Sequence, residues 1–141
     1  MIYILDACAL IAFLNEEIDE GYESVKDLLQ RAVAGEISLY MSIINLVEVY
    51  YGFMQSNGLE TANAIIEPVK SLPIKFIREI TDEIYSKAAF FKATYSISLA
   101  DAFLCATAKS LAATIITKDD EIKPVEEKEL LPVLWIKQKN N

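Results

Sequence analysis

Four carboxylates in this sequence stand where acid–base or metal chemistry could use them. Asp6 closes the apolar run Ile2 to Leu5. Glu48 interrupts Ile43-Ile44-Asn45-Leu46-Val47-Glu48-Val49-Tyr50. Asp101 lies in Ser98-Leu99-Ala100-Asp101, and Asp119 in Thr117-Lys118-Asp119-Asp120-Glu121. Three of them have plain structural readings. Asp6 fits a helix N-cap, Ser98-x-x-Asp101 fits a capping box, and Asp119 fits a turn. Glu48 resists such a reading, because no Lys or Arg lies within four residues on either side. A lone carboxylate on an apolar helix needs a metal ion, a hydrogen-bond donor or a proton.

Composition narrows the chemistry. The 141 residues include no histidine. That removes Ser-His-Asp and Cys-His nucleophile systems, the HExxH zinc site, histidine general bases and the Cys/His zinc finger. Cys8 and Cys105 are too few for a disulfide scaffold or an all-cysteine zinc site. Both lie in apolar stretches, as in a reduced cytosolic protein. The missing Gly-rich loops disfavour a P-loop NTPase or a dinucleotide enzyme. Carboxylates that converge without cations repel one another and raise each other's pKa, and a divalent ion relieves this. An all-oxygen ligand set selects hard cations, Mg²⁺ or Mn²⁺. Such a site suits phosphodiester hydrolysis: it polarises the phosphoryl oxygen, lowers the pKa of a coordinated water and stabilises the leaving oxygen, with one ion or two.

The elements that must position these groups alternate along the chain. Strands are expected at Ile2 to Leu5, Ile37 to Met41, Ile74 to Ile77, Ala113 to Thr117 and Val133 to Ile136. Helices are expected at Ala7 to Leu14 after an Asp6 cap, and at Gly21 to Ala34 with Tyr22, Val25, Leu28, Leu29, Ala32 and Val33 at helical spacing. Further helices are expected at Ile43 to Gln55 after a Ser42 cap, at Leu59 to Leu72 with Pro68 inside it, at Thr81 to Thr94, and at Ser98 to Leu111. The Thr81 to Thr94 helix would put Ile84, Tyr85, Ala88 and Phe91 on one face. Asn15 to Gly21 and Asp120 to Leu131 read as loops. Alternating strands and helices predict one α/β domain over residues 1–141, a parallel sheet of about five strands with helices on both faces. In such folds the site lies beyond the carboxyl ends of the strands, at the switch point in strand order. Asp6 and Asp119 fall there.

The net charge is −8, unevenly spread. Residues 1–69 hold two basic and eleven acidic side chains, a net of −9, and residues 70–141 hold eleven basic and ten acidic, a net of +1. A polyanion would therefore approach the second half, or come in through bound metal. Lys87, Lys92, Lys118 and Lys123 are candidates for phosphate contact. The apolar opening has no basic n-region and no cleavage site, and no run approaches the roughly 18 residues of a membrane span. A soluble cytoplasmic protein is expected.

MIYILDACALIAFL, SIINLVEVYYG, SLADAFLCATA and TIITKDDEI resemble, in order and spacing over residues 2–136, the four acidic segments of PIN-domain nucleases. The size resembles that of the toxins of VapBC-type toxin–antitoxin pairs. The resemblance implies an Mg²⁺- or Mn²⁺-dependent endoribonuclease with Asp6, Glu48, Asp101 and Asp119 as its acidic cluster. It also implies a homodimer, an RNA substrate and a small antitoxin whose tail enters the groove. Thr117 matches the family's hydroxyl before the fourth acid, where it would position a metal-bound water. Asp119 ranks ahead of Asp120 as fourth acid on the T-x-D spacing, and Glu121 stands where the family often has a second Asp. Cys8 stands where the family usually has Ser or Thr, and a thiol is a poorer hydrogen-bond partner for a carboxylate.

Two other functions compete. A catalytically silent PIN-like module would only bind RNA or a protein partner. A receiver-type phosphoacceptor needs an Asp at the end of its third strand, which here reads Ile77-Arg78-Glu79.

Overall fold

Strict alternation within short apolar strands decides this architecture. In β1 (Ile2–Leu5), Tyr3 and Leu5 enter one core and Ile4 the other. In β2 (Ser38–Ser42), Leu39 and Met41 enter the first core while Tyr40 packs on the second. In β4 (Thr114–Thr117), Ile116 and Ile115 divide in the same way. Both faces of these strands are therefore buried, as in parallel sheets covered by helices. With β3 (Lys75–Ile77) and β5 (Val133–Trp135), the strands form one parallel sheet in the order β3-β2-β1-β4-β5. The structure is a computed structural model and describes residues 1–136, the Asp19 side chain excepted. The last five residues of the domain expected over 1–141 lie outside the described residues.

Helices α1 (Ala7–Leu14), α2 (Tyr22–Val33), α3 (Ile43–Asn57) and α4 (Leu59–Ile66) pack on the first face. Helices α5 (Asp82–Thr94), α6 (Leu99–Leu111) and α7 (Lys123–Glu129) pack on the second. Ile4, Leu5, Leu10, Leu104 and Ile116 are fully enclosed, and each such side chain contributes about 1.5–3 kcal/mol through burial. The chain runs outward from β1 through β2 to β3, then returns to β4 on the other side of β1. The switch point therefore lies between the carboxyl ends of β1 and β4, where Asp6 and Thr117 stand. Among the described residues, no helix is long and apolar enough to cross a membrane.

The structure departs from expectation in five places. The helix expected over Leu59 to Leu72 ends at Ile66 and continues as a 3-10 stretch, Glu67–Ser71. Pro68 has no N–H to continue the ladder and its ring crowds the preceding turn. Two residues expected on apolar helix faces are exposed, Val33 (75%) and Tyr85 (54%). Ile84, Ala88 and Phe91 already complete a stripe at four- and three-residue spacing, and Tyr85 lies about 100° round from Ile84. Within the loop expected from Asp120 to Leu131, the chain forms a 3-10 turn, Asp120–Ile122, and then α7. Pro124 in the first turn and the buried Val125 were its sequence signals. In the loop expected from Asn15 to Gly21, Ile18–Glu20 form another 3-10 turn.

Gly21 joins that turn to α2 at φ +115°, and a Cβ there would sit 2.5 Å from Ile136 Cδ1. Gly21→Ala should therefore cost about 1–3 kcal/mol. Thermal unfolding checks this; an unchanged melting temperature would remove the requirement for glycine.

Candidate active site

Each acid is placed by a local rule of chain geometry. Asp6 follows β1 and caps α1, its Oδ1 accepting the Ala7 N–H at 2.7 Å. Its Oδ2 accepts the Thr117 hydroxyl at 2.7 Å. Thr117 is the last residue of β4 and fully buried, and its Oγ1 accepts the Asp119 N–H at 3.0 Å. One hydroxyl thus ties two acids from segments 113 residues apart. Asp119 also caps the following 3-10 turn through the Glu121 N–H at 3.0 Å. The capping reading of Asp6 and the turn reading of Asp119 hold, then, alongside their place in the cluster.

Asp101 lies in the first turn of α6, where Ser98 Oγ accepts its N–H at 3.0 Å. The return bond of a capping box, from the Ser98 N–H to the carboxylate, does not form among the described residues. Instead the Asp101 side chain is buried, at 4% exposure, beside Asp6 at 3%. One ligand oxygen from each of Asp6, Asp101 and Asp119 lies within 4.8 Å of the others.

Glu48 stands outside that trio but lines the same cleft, a cavity of about 400 Å³ whose walls include Cys8, Tyr51, Ser98 and Glu121. Asp120 does not line it: its carboxylate points to Lys123, 3.5 Å away. The donor that Glu48 needed is Asn45. Its Nδ2 donates to Glu48 Oε1 at 3.0 Å. Asn45 is fully buried, and its Oδ1 has no partner.

A buried amide with an orphaned oxygen costs about 1–3 kcal/mol, so Asn45 holds Glu48 at the expense of stability. Asn45→Leu should leave the melting temperature unchanged or higher while weakening divalent-metal binding about 10-fold or more, as loss of an orienting partner does. Calorimetry with Mn²⁺ reads both; a less stable variant with native metal affinity would mean that the amide is only core glue.

Electrostatics follows the crowding. Burial pushes the Asp6 carboxyl up to about 6, against the pull of the Thr117 and Ala7 hydrogen bonds, and the Glu48 and Asp119 charges push the same way. Burial, then the Asp6 charge, pushes Asp101 up to about 8. Cys8 Sγ lies 3.5 Å from Asp6 Oδ2 and 3.6 Å from Thr117 Oγ1. The thiol therefore does take the place of the expected hydroxyl beside Asp6. Burial, then the Asp6 charge, lifts it to about 12, which leaves it an inert donor. Cys105 is buried and likewise lifted to about 12, first by burial.

The donor set fits a hard divalent cation. Three carboxylates converge, two of them buried, and none of the described residues lining the cleft is basic. Only ionic charge of the opposite sign lets all three ionise together.

Of the four lysines expected to meet phosphate, Lys118 is held by Glu17 at 3.4 Å and Glu20 at 4.0 Å. Lys123 pairs with Asp120 and stands 5.6 Å from the Trp135 ring centre, and Lys87 stands 5.9 Å from that of Phe90. The sequence alone singled out neither Asn45 nor Tyr51, although each lies three residues from Glu48 and so on the same side of the helix.

The family model of the PIN domain matches residues 3–128. No curated protein matches the chain. Among solved structures, VapBC2 from Rickettsia felis bound to a promoter DNA fragment is similar at 20% identity, with 96% of this chain and 99% of that chain covered and a TM-score of 0.74. VapBC-1 from nontypeable Haemophilus influenzae is similar at 23% identity, 95% and 97% coverage and a TM-score of 0.69. The Sarcin-Ricin loop cleaving toxin VapC20 from Mycobacterium tuberculosis is similar at 16% identity, 87% and 94% coverage and a TM-score of 0.66. These likenesses are of fold, whereas the family match spans nearly the whole chain and brings Asp6, Glu48, Asp101 and Asp119 within its bounds: the chain belongs to the PIN domain family.

Proposed function

We propose that this protein is a divalent-metal-dependent endoribonuclease, the toxin of a VapBC-type toxin–antitoxin pair. In this reading it works in the cytoplasm as a homodimer and is neutralised by a small antitoxin. The observation that carries the catalytic part is the cluster of Asp6, Asp101 and Asp119 oxygens within 4.8 Å of one another in a cleft without a basic wall. The toxin–antitoxin part is supported by the kind of structure the chain resembles.

Asp6, Asp101 and Asp119 would hold Mg²⁺ or Mn²⁺, with Glu48 at the edge of the set. The bound ion would polarise the scissile phosphoryl group and activate water toward it. The protein supplies the rest. Thr117 fixes Asp6 Oδ2 and the Asp119 backbone together, so two ligands keep one geometry. Asn45 occupies Glu48 Oε1, which leaves Oε2 as the acceptor for a proton from attacking water. The acidic walls repel the scissile phosphate until the carboxylates are neutralised, so its entry into the cleft waits on the cation, while contacts made outside the cleft do not.

Purified protein stripped with EDTA should leave structured RNA intact, and Mn²⁺ or Mg²⁺ in excess should restore cleavage. Cleavage that persists in EDTA after repurification would rule the proposal out.

A further inference from the structure

A nuclease of net charge −8 must still hold the flanking phosphates of its substrate, and the acidic cleft offers them no cation. Cations stand instead on the opposite side of α3. Glu48 and Tyr51 face the acidic cleft, while Ile43, Leu46 and Tyr50 line a second groove of about 290 Å³. Its other walls come from α4, the Glu67–Ser71 turn and β3, and include Asn63, Phe76 and Arg78. The groove opens at the carboxyl ends of β2 and β3, the same edge of the sheet that carries Asp6 and Thr117. Two strand spacings, about 10 Å, separate β3 from β1, which is within reach of one nucleic-acid strand lying across α3.

The chemistry of this groove differs from that of the cleft. Its charged walls are Lys70, Arg78 and one acid, Glu67. Arg78 is exposed and forms no ion pair among the described residues. Lys70 is held by Glu67 at 3.1 Å. Tyr50 and Phe76 are half-buried aromatic rings in the wall. The Tyr50 hydroxyl donates to Asn63 Oδ1, which leaves the Asn63 amide N–H₂ for an outside acceptor. A flat aromatic wall, a free amide and an unpaired guanidinium at the rim are the parts that take a base and its phosphate.

We infer that this groove between α3, α4 and β3 is a subsite for a nucleotide of single-stranded RNA, the base lying against Tyr50 and Phe76 and the phosphate on Arg78. It rests on the ribonuclease reading for the identity of its ligand. Charge favours RNA over a protein segment, because Glu67 is taken up by Lys70 and the lining charge left over is Arg78, which has no ion-pair partner among the described residues.

The test is anisotropy of a fluorescein-labelled 12-nucleotide single-stranded RNA with the full chain in EDTA, over a series of salt concentrations. Arg78→Ala should weaken binding about fivefold and lower the log–log salt slope by about 1, the loss of one phosphate contact. Tyr50→Leu should weaken binding about tenfold, the loss of one stacked base, with the slope kept. Glu67→Gln releases Lys70 and should tighten binding, a gain that a merely structural role for the turn does not produce. Wild-type affinity and slope in both Arg78→Ala and Glu67→Gln would overturn the inference and leave the groove to a protein partner. Cleavage of the same RNA by wild type in Mn²⁺ separates the two readings: cutting with unchanged binding in the variants sinks the subsite alone, and altered binding without cutting sinks the nuclease alone.

Discussion

Asp101→Asn will give a protein that melts at a higher temperature than wild type in EDTA at pH 8 and no longer binds Mn²⁺ measurably. Both effects come from one cause. Asp101 is buried at the centre of the acidic cluster, and burial followed by the Asp6 charge pushes its carboxyl up to about 8. In the metal-free protein that carboxyl is partly ionised at pH 8 and repelled by its neighbours. A neutral amide of the same shape removes the repulsion. The metal-loaded protein loses one of three converging ligands, which costs several kcal/mol of transition-state stabilisation, a fall in cleavage rate of about 10³-fold or more. Scanning calorimetry in EDTA and Mn²⁺ titration read the two halves separately. A variant less stable than wild type without metal would show that Asp101 is a structural residue.

Metal-free stability will also fall as pH rises, against the usual behaviour of proteins with paired carboxylates. Asp6 stands at about 6 in the folded protein against an ordinary 3.8. A raised folded pKa means that the native state binds more protons than the unfolded chain between these values, so stability decreases with pH there. The contribution is fully present below about pH 4 and is lost as pH rises through 6. Lifting one buried carboxyl from 3.8 to about 6 corresponds to about 3 kcal/mol. Asp101 extends the decline toward pH 8. The melting temperature in EDTA should therefore drop by on the order of 10 °C between pH 4.5 and 8.5. Excess Mn²⁺ should recover most of it at pH 8.5 and little at pH 4.5, because the ion competes with protons for the same oxygens. A flat or rising profile in EDTA would show that the cluster is not under this strain.

Much of this was legible in the sequence because strand and helix periods are written into apolar spacing. The alternation in Ile2–Leu5 and Thr114–Thr117, with no Pro or Gly inside either strand, forced doubly covered parallel strands and so a site at their carboxyl ends. Asp6 and Asp119 could be placed from that rule alone. Glu48 was legible as an anomaly, since an unpaired acid on an apolar helix demands a partner. Its partner could not be singled out, because Asn45 at three residues before it is equally a common cap or core residue until the geometry shows the 3.0 Å bond. Helix α7 stayed hidden because Val125 is its one buried residue, and a seven-residue helix has no period to read. The engagement of Lys118 by Glu17 and Glu20 joins segments about a hundred residues apart, which no local pattern encodes.

The central claim is that carboxylates of this cluster cut RNA. Its most direct test is a side-by-side digest of structured RNA by wild type and Asp6→Asn in Mn²⁺, both freed of antitoxin and of contaminating nucleases. Asp6→Asn keeps an acceptor for the Ala7 N–H and removes the charge at the switch point. Wild type should give discrete cleavage products and the variant should leave the RNA intact. Identical digests from the two proteins would contradict it.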